Sequence, residues 1–358
     1  MNYSDRKPLI DQLGKLRGSK VLCYIYSDRE TFPPVPGFSI PISGEPQLLI
    51  ADQLRTIGKT EKLDLVLYTR GGATDSVWPF ISVLREYTNH LTVFVPFRAH
   101  SAGTLICLGA DEVVMTEIGE LSPIDPTTGN QFNPNDPTNP QNRFGISVED
   151  VAAYFELAEM RAKIKTEALR IDVLKELTRK VHPLALGNVQ RVYMQIRRLA
   201  RSLLSLHLDG TGNSKKIDEI IKALTEEFYS HLHFINRSEA RKLMGDWVRP
   251  PSSEEGKILF DLFEAYATTL QLREKFQLPL FMGDEQIRDL IALAGFIESS
   301  TLSHIYTTAM KVIQRPNIPS NIQIQIPPGS AVPLAPGFSR SFEYSILENG
   351  WKLNKQEI

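Results

Sequence analysis

Cysteine is nearly absent from this chain, which has two cysteines among 358 residues. Both, Cys23 and Cys107, lie in apolar stretches, so we expect buried thiols in a reducing compartment. The sequence also has no cysteine cluster with metal-ligand spacing, no glycine-rich phosphate loop and no internal repeat. No metal and no cofactor is therefore expected.

The sequence also lacks an excess of either charge sign and any long hydrophobic run. Lys and Arg number 40 against 42 Asp and Glu, a net charge of −2, which argues against nucleic acid as the main partner. No apolar run reaches the ~18 residues of a membrane helix. The polar, charged residues 1–11 predict that there is no signal peptide. With 42% hydrophobic residues, the chain predicts a soluble cytoplasmic protein with a large core.

Strands and helices alternate in the first third of the sequence. An almost continuous apolar run at 63–68 is typical of a parallel strand that is covered on both faces. Apolar residues at helical spacing then predict a helix over 75–87. Further strands are predicted at 91–97 and 113–115. This order predicts right-handed crossovers and a parallel sheet.

Two of these strands end in small residues. The first ends at Gly71 and Gly72, where the backbone can approach a ligand closely. The second is followed by Ser101 and then by a small-residue helix that starts at Ala102. A serine hydroxyl attacks a carbonyl when a base removes its proton and fixed N–H donors meet the oxyanion. The glycine pair and Ala102 can supply those donors, so we expect an acyl-transfer site with Ser101 as nucleophile.

Five blocks of sequence between residues 63 and 126 resemble the serine dehydrogenase proteinase family, a branch of the Clp-peptidase, signal-peptide-peptidase and crotonase fold group. The blocks, in the family's order and spacing, are Tyr68-Thr69-Arg70-Gly71-Gly72, Val95-Pro96, Ser101-Ala102-Gly103-Thr104-Leu105-Ile106, Ala110-Asp111-Glu112-Val113-Val114-Met115 and Ser122-Pro123-Ile124-Asp125-Pro126. A weaker similarity lies at 231–245. The resemblance implies a ClpP/crotonase-like parallel sheet with repeated βαβ units, a peptide or protein substrate, and a homo-oligomer.

Three positions depart from the family pattern, and at the first of them Tyr68 stands where the family has histidine. Arg70 stands where the family has proline before the glycine pair, and an arginine there either binds a substrate carboxylate or points to solvent. Ala102 stands where the family has glycine, and its N–H is retained. The oxyanion hole predicted from Gly71 or Gly72 and Ala102 is therefore kept.

The general base is not assigned by the resemblance. Clp peptidases take a histidine from the segment after the third strand, but residues 121–126 contain none, and signal peptide peptidases use a lysine instead. The candidates here, in order of preference, are His182, then His231 or His233, then Lys165. Asp125 either orients the base or caps a turn before Pro126.

The resemblance favours a peptidase domain over 1–250, with core motifs at 63–126. A long helix over 148–180 and a second helix reaching 206 are interpreted as the handle-like projection through which this fold group oligomerises. The remaining residues, 251–358, are interpreted as a C-terminal extension.

Within the extension we expect helices over 255–276 and 284–313, followed by a proline-rich stretch and a final strand over 342–353. The proline-rich stretch has strand-like isoleucines, namely Ile322, Ile324 and Ile326.

Three functions are compatible with these motifs. The first is a serine peptidase that forms an acyl-enzyme on Ser101. The second is a catalytically silent scaffold or binding module of the same fold, with 250–358 as its recognition surface. The third is a crotonase-like acyl-CoA enzyme, which would use the oxyanion hole but would not need the serine.

Overall fold

The computed structural model describes residues 2–125, 127–137, 139, 142–208, 212–228, 230–316 and 339–354. The chain forms two compact units, each built from separate stretches of sequence. The first unit comprises Met1–Thr69, Glu86–Asn89 and Ser252–Ile358, and the second comprises Arg70–Arg85 and His90–Pro251. The predicted division into domains 1–250 and 251–358 stays a prediction.

Helices and strands alternate through most of the described residues. The α-helices are α1 (Tyr3–Arg17), α2 (Gln47–Ile57), α3 (Val77–Arg85), α4 (Ala102–Leu108), α5 (Val148–Glu156), α6 (Glu167–Lys180), α7 (Pro183–Leu204), α8 (Ser214–Lys222), α9 (Arg237–Met244), α10 (Ser253–Leu270) and α11 (Leu278–Met282). The strands are β1 (Lys20–Tyr26), β2 (Thr31–Phe32), β3 (Thr60–Tyr68), β4 (Thr88–Val95), β5 (Arg98–Ala99), β6 (Glu112–Met115), β7 (Glu120–Leu121), β8 (Thr127–Thr128), β9 (Ile146–Ser147), β10 (Ile235–Asn236), β11 (Val248–Arg249), β12 (Phe276–Gln277), β13 (Ile287–Glu298), β14 (Ser303–Pro316) and β15 (Arg340–Leu353).

The first unit contains strands in the order β3-β1-β13-β14-β15. Strands β1 and β3 run parallel, and β13 joins β1 in the antiparallel direction. The strand predicted at 63–68 is thereby confirmed. Every residue of β1 after Lys20 is buried, as expected for a strand that is covered on both faces.

The helix predicted over 284–313 is wrong, because these residues form the antiparallel hairpin of β13 and β14. Burial alternates along the start of β13: Leu290 and Ala292 are buried, whereas Ile291 is exposed. This period of two belongs to a strand with one face on the core. The final strand predicted over 342–353 is confirmed as β15, which pairs with β14. Residues 126, 209–211 and 317–338, which include the strand-like isoleucines, lie outside the described residues.

In the second unit, the parallel strands β11, β6 and β4 lie side by side. Helix α4 connects β4 to β6, so the parallel α/β class predicted from the sequence is confirmed. The single helix predicted over 148–180 is wrong. The chain leaves α5 through a π-helical turn, Leu157–Arg161, and Lys163 then has a φ of 59° before α6 begins. A non-glycine residue in that left-handed region interrupts an α-helix.

A smaller three-stranded sheet in the second unit positions the residues of interest. Its order is β10-β7-β5, with β5 parallel to β7 and β10 antiparallel to β7. In the described part of the chain, no helix is long and apolar enough to cross a membrane.

Candidate active site

Ser101 occupies a strained turn between β5 and α4. Its φ is 51° and its ψ is −111°, and it is one of three non-glycine residues with positive φ in the described part of the chain. Such a conformation costs about 1–3 kcal/mol and persists only where its surroundings impose it. A sharp turn from strand to helix projects the serine side chain outward, as a nucleophile requires.

Gly71 packs directly against this turn. Its φ is 98°, which only glycine adopts readily. A Cβ atom built on Gly71 would lie 2.7 Å from the His100 carbonyl oxygen, 2.7 Å from the Ser101 Cβ and 3.2 Å from the Ala102 nitrogen. The structure therefore brings together three of the predicted site residues, Gly71, Ser101 and Ala102. Since Ala102 is the first residue of α4, its N–H has no acceptor within that helix.

The segment after β7 holds the turn in place. The Ser101 N–H donates to the Ser122 Oγ at 2.7 Å, and the Ser122 hydroxyl donates to the Pro123 carbonyl at 3.0 Å. The Ser122 N–H donates to the Thr104 Oγ1 at 3.0 Å, and that oxygen lies 2.8 Å from the Ala99 carbonyl oxygen. Ser122 and Thr104 are both buried, so these bonds form away from competing water.

The three-stranded sheet aligns two further residues with Ser101. Ile235 pairs with Leu121 in the antiparallel direction, so the chain that precedes β10 and the chain that follows β7 lie at the same end of the sheet. Strand β5 runs parallel to β7 and leads to Ser101 at the same end of the sheet. The chain segments that carry Ser101, Asp125 and His231 therefore all leave this sheet at one end.

His231 and Asp125 form a hydrogen-bonded pair. The His231 Nδ1 lies 2.9 Å from the Asp125 Oδ1, and the side chains are 47% and 7% exposed. The hydrogen bond that His231 donates to Asp125 raises the pKa of His231 above its usual value, against the opposing effect of burial. Since an ionised carboxylate only accepts, Nδ1 carries the proton and Nε2 has the lone pair of a base.

The other predicted bases have different surroundings. His182 is the N-cap of α7, and its Nδ1 accepts the Leu184 N–H at 3.1 Å while its ring stacks on Phe132. His233 lies 3.1 Å from Glu239 and stacks on Phe228.

Lys165 and Arg70 are both exposed to solvent. Lys165 lies in the loop that precedes α6, and Arg70 directly precedes the glycine pair. The assignments of His182 as base and Arg70 as a substrate-binding residue stay predictions.

Sequence reasoning missed Glu149, in the first turn of α5. Burial, and after it the negative charges of Asp125 and Glu226, raise the pKa of this carboxyl to about 7. Its buried Oε1 has no hydrogen-bond partner among the described residues. No motif indicates Glu149, because its raised pKa depends on residues that are distant in sequence and close in the fold. Ser122 lies in one of the family blocks, but no local sequence signal indicates its bond to Ser101.

No group of three or more histidine, cysteine, aspartate or glutamate side chains in the described residues is arranged to hold a metal ion.

Two curated relatives cover most of this chain. Both are uncharacterized proteins of Methanocaldococcus jannaschii. One is 26% identical over 247 residues, which are 68% of this chain and 72% of the relative. The other is 25% identical over 263 residues, which are 72% of this chain and 78% of the relative.

Solved structures with similar folds include two variants of a membrane-bound stomatin-specific protease, 1510-N. The first has a TM-score of 0.36 and 13% identity, and the match covers 59% of this chain and 75% of that one. The second, in complex with a substrate peptide, has the same TM-score and identity, with 60% and 73% covered. A probable enoyl-CoA hydratase/isomerase from Mycobacterium abscessus has a TM-score of 0.29 and 12% identity, with 65% and 67% covered. TM-scores this low say nothing about the chemistry of the site.

The family of ClpP-like SDH-type serine proteinases matches residues 1–136. That range contains Gly71, Ser101 and Asp125, and the match supports a serine peptidase. The family resemblance predicted from the sequence blocks is thereby confirmed over residues 1–136.

Proposed function

We propose that this protein hydrolyses peptide bonds through an acyl-enzyme on Ser101, with His231 as the general base and Asp125 as its orienting carboxylate. The observation that carries the proposal is that three chain segments meet the three-stranded sheet at the same end. The strained serine turn follows β5, Asp125 follows β7, and His231 precedes β10. Nucleophile, base and orienting acid are the three roles that serine hydrolysis requires.

In the acylation step, the Ser101 Oγ attacks the scissile carbonyl carbon and its proton passes to the His231 Nε2. The tetrahedral intermediate then collapses, the C–N bond breaks, and the leaving amine takes the proton from His231. In the second half, water gives its proton to His231 and attacks the ester. The acid product leaves and Ser101 regains its proton.

The oxyanion receives the backbone N–H of Ala102 and that of Gly71 or Gly72. The contact between Gly71 and the serine turn supports this assignment, because both donors then flank the attacked carbonyl. Fixed donors of this kind lower the barrier because they need no reorganisation as the charge develops, and removing one typically costs about 10²–10³ in rate.

The contacts of the two leading histidines favour His231 as base. His231 is hydrogen-bonded to a buried carboxylate in the segment that also binds the Ser101 amide. The His182 Nδ1 accepts a hydrogen bond from the backbone N–H of Leu184. This contact gives His182 the role of a helix cap.

The test is the intact mass after incubation with a fluorophosphonate probe, which replaces fluoride by the oxygen of an activated serine. We expect one adduct on the wild type and none on Ser101→Ala. His231→Ala should label at least about 100-fold more slowly, as typical of a lost general base. His182→Ala, the matched control, should label at the wild-type rate.

Each other result would contradict a named part of the proposal. Slow labelling of His182→Ala with normal labelling of His231→Ala would assign the base to His182. A folded wild type that never forms the adduct would favour the silent scaffold. Acyl-CoA turnover that persists in Ser101→Ala would favour the crotonase-like enzyme.

A further inference from the structure

Strand β15 is the last strand in the sheet of the first unit, and among the described residues it pairs with β14 alone. Its 14 residues make it more than twice the usual strand length of about 5–6 residues. Near its middle, Ile346 and Leu347 are 51% and 62% exposed. A long edge strand with exposed apolar residues is a template for pairing with another chain.

We propose that β15 pairs in the antiparallel direction with β15 of a second copy of this chain, about a two-fold axis between Leu347 and Glu348. The occupant is a second copy because the strand is complementary to itself in this register. Glu343 of one copy then faces Lys352 of the other, and the symmetry repeats the contact. Tyr344 faces Trp351 in the same way.

The bulge in β15 makes this pairing geometrically consistent. Met310 pairs with Ile346 and Ala309 pairs with Glu348, so Leu347 is an additional residue on β15. Phe342 and Tyr344 pack on the core side before the bulge, and Glu343 therefore lies on the open side.

The additional residue reverses the alternation of side chains along the strand. Glu348 lies beside Ala309, on the face opposite the buried Met310, and Lys352 shares the face of Glu348. Glu343 and Lys352 are therefore on the same face of the sheet, as residues that face each other across two strands must be.

Charge disfavours the registers that are shifted toward the N-terminus. Moving the axis by one residue toward the N-terminus places Glu343 opposite Gly350 and Lys352 opposite Ser341. Moving it by two residues places Glu343 opposite Glu348, a repulsive pair. Glu343 already lies 3.1 Å from Arg315 on β14, so a lysine of the second copy would extend a row of alternating charges.

The first test is charge reversal with rescue in the full chain, followed by sedimentation velocity over a range of concentrations. We expect a dimer for the wild type. Lys352→Glu should weaken it about tenfold or more, because two attractive pairs become repulsive. The double variant Glu343→Lys with Lys352→Glu should restore the affinity to within about threefold. Lys311→Glu, on β14 and away from the edge, should leave it unchanged.

The second test is cross-linking, which reads the register directly. The proposed pairing places Ile346 opposite Asn349 of the second copy, so a variant with both Ile346→Cys and Asn349→Cys should form a disulfide-linked dimer under mild oxidation. Each single variant should not. Positions 346 and 349 are about 10 Å apart within one extended strand, too far for a bond inside one chain. The natural cysteines are buried and do not compete.

Three results would overturn the proposal. One is a wild type that stays monomeric at all concentrations. Another is a dimer whose affinity Lys352→Glu does not change, which would place the contact elsewhere, for example on the helices α5 to α7. The third is the absence of a cross-link in the double cysteine variant while the dimer persists. All three can be obtained whether or not Ser101 is catalytic.

Discussion

Replacing Gly71 with alanine perturbs the proposed oxyanion hole without removing any functional group. The new Cβ would lie 2.7 Å from the His100 carbonyl oxygen and 2.7 Å from the Ser101 Cβ, both much closer than van der Waals contact. Both neighbours belong to the turn that orients the nucleophile. The turn and the glycine segment must therefore move apart by several tenths of an ångström.

The size of the effect follows from two separate costs. An alanine at a φ of 98° is strained by about 1–3 kcal/mol. Overpacking against the serine turn adds about 1–3 kcal/mol. We therefore expect a loss of roughly 2–6 kcal/mol in the free energy of unfolding. Displacement of an oxyanion donor should slow fluorophosphonate labelling by about 100-fold.

The assay compares labelling rate and thermal unfolding in Gly71→Ala and Gly58→Ala. Gly58 also has a positive φ, 76°, but a Cβ there meets nothing within 4 Å. Gly58→Ala therefore measures the backbone strain alone and should label at the wild-type rate. If Gly71→Ala labels as fast as Gly58→Ala and unfolds at the same temperature, Gly71 does not press on the serine turn and the oxyanion assignment fails.

Three further predictions concern charged groups. Asp125→Asn removes the carboxylate charge from the hydrogen bond that raises the pKa of His231, so the rise of labelling rate with pH should shift to lower pH; an unchanged profile would remove His231 as the base. Glu149 binds its proton more tightly when folded, with a pKa of about 7, so its contribution to stability falls as pH rises from 4.5 toward 7. Glu149→Gln should therefore stabilise the protein at pH 8 more than at pH 4, and equal shifts in melting temperature would contradict this. Arg6→Met leaves the buried Glu298 carboxylate without its ion-pair partner and should cost about 3–5 kcal/mol in urea unfolding, whereas a loss below about 1 kcal/mol would show that Glu298 is otherwise stabilised.

The parallel part of the fold was predictable because its signals are local. The apolar run at 63–68 and the helical spacing at 75–87 each lie within a single segment. The run predicts a strand that is buried on both faces, and the spacing predicts a helix with one buried face. The hairpin of β13 and β14 was not predictable in this way. Its apolar residues fit a helix as well as a strand, and the pairing partner that decides between them lies elsewhere in the chain.

The nucleophile half of the site could be predicted for the same reason. Gly71 and Ser101 each lie at the end of a strand, and their chemistry requires the small residues and turns that the sequence displays. The positive φ of Ser101 could not be predicted, because serine has no intrinsic preference for it. The bond from its N–H to Ser122 is one of the contacts that impose that conformation.

The base could not be ranked from sequence because its position depends on a register. His231 lies 106 residues from Asp125, and the two meet because β10 pairs with β7 at Ile235 and Leu121. A shift of one residue in that pairing would move His231 away from Asp125 and turn its neighbours to the other face. A preference for His182 was therefore reasonable from local sequence, which shows a histidine before a helix but not which strands pair. In this fold a two-residue strand, too short to predict, determines which histidine faces the buried carboxylate.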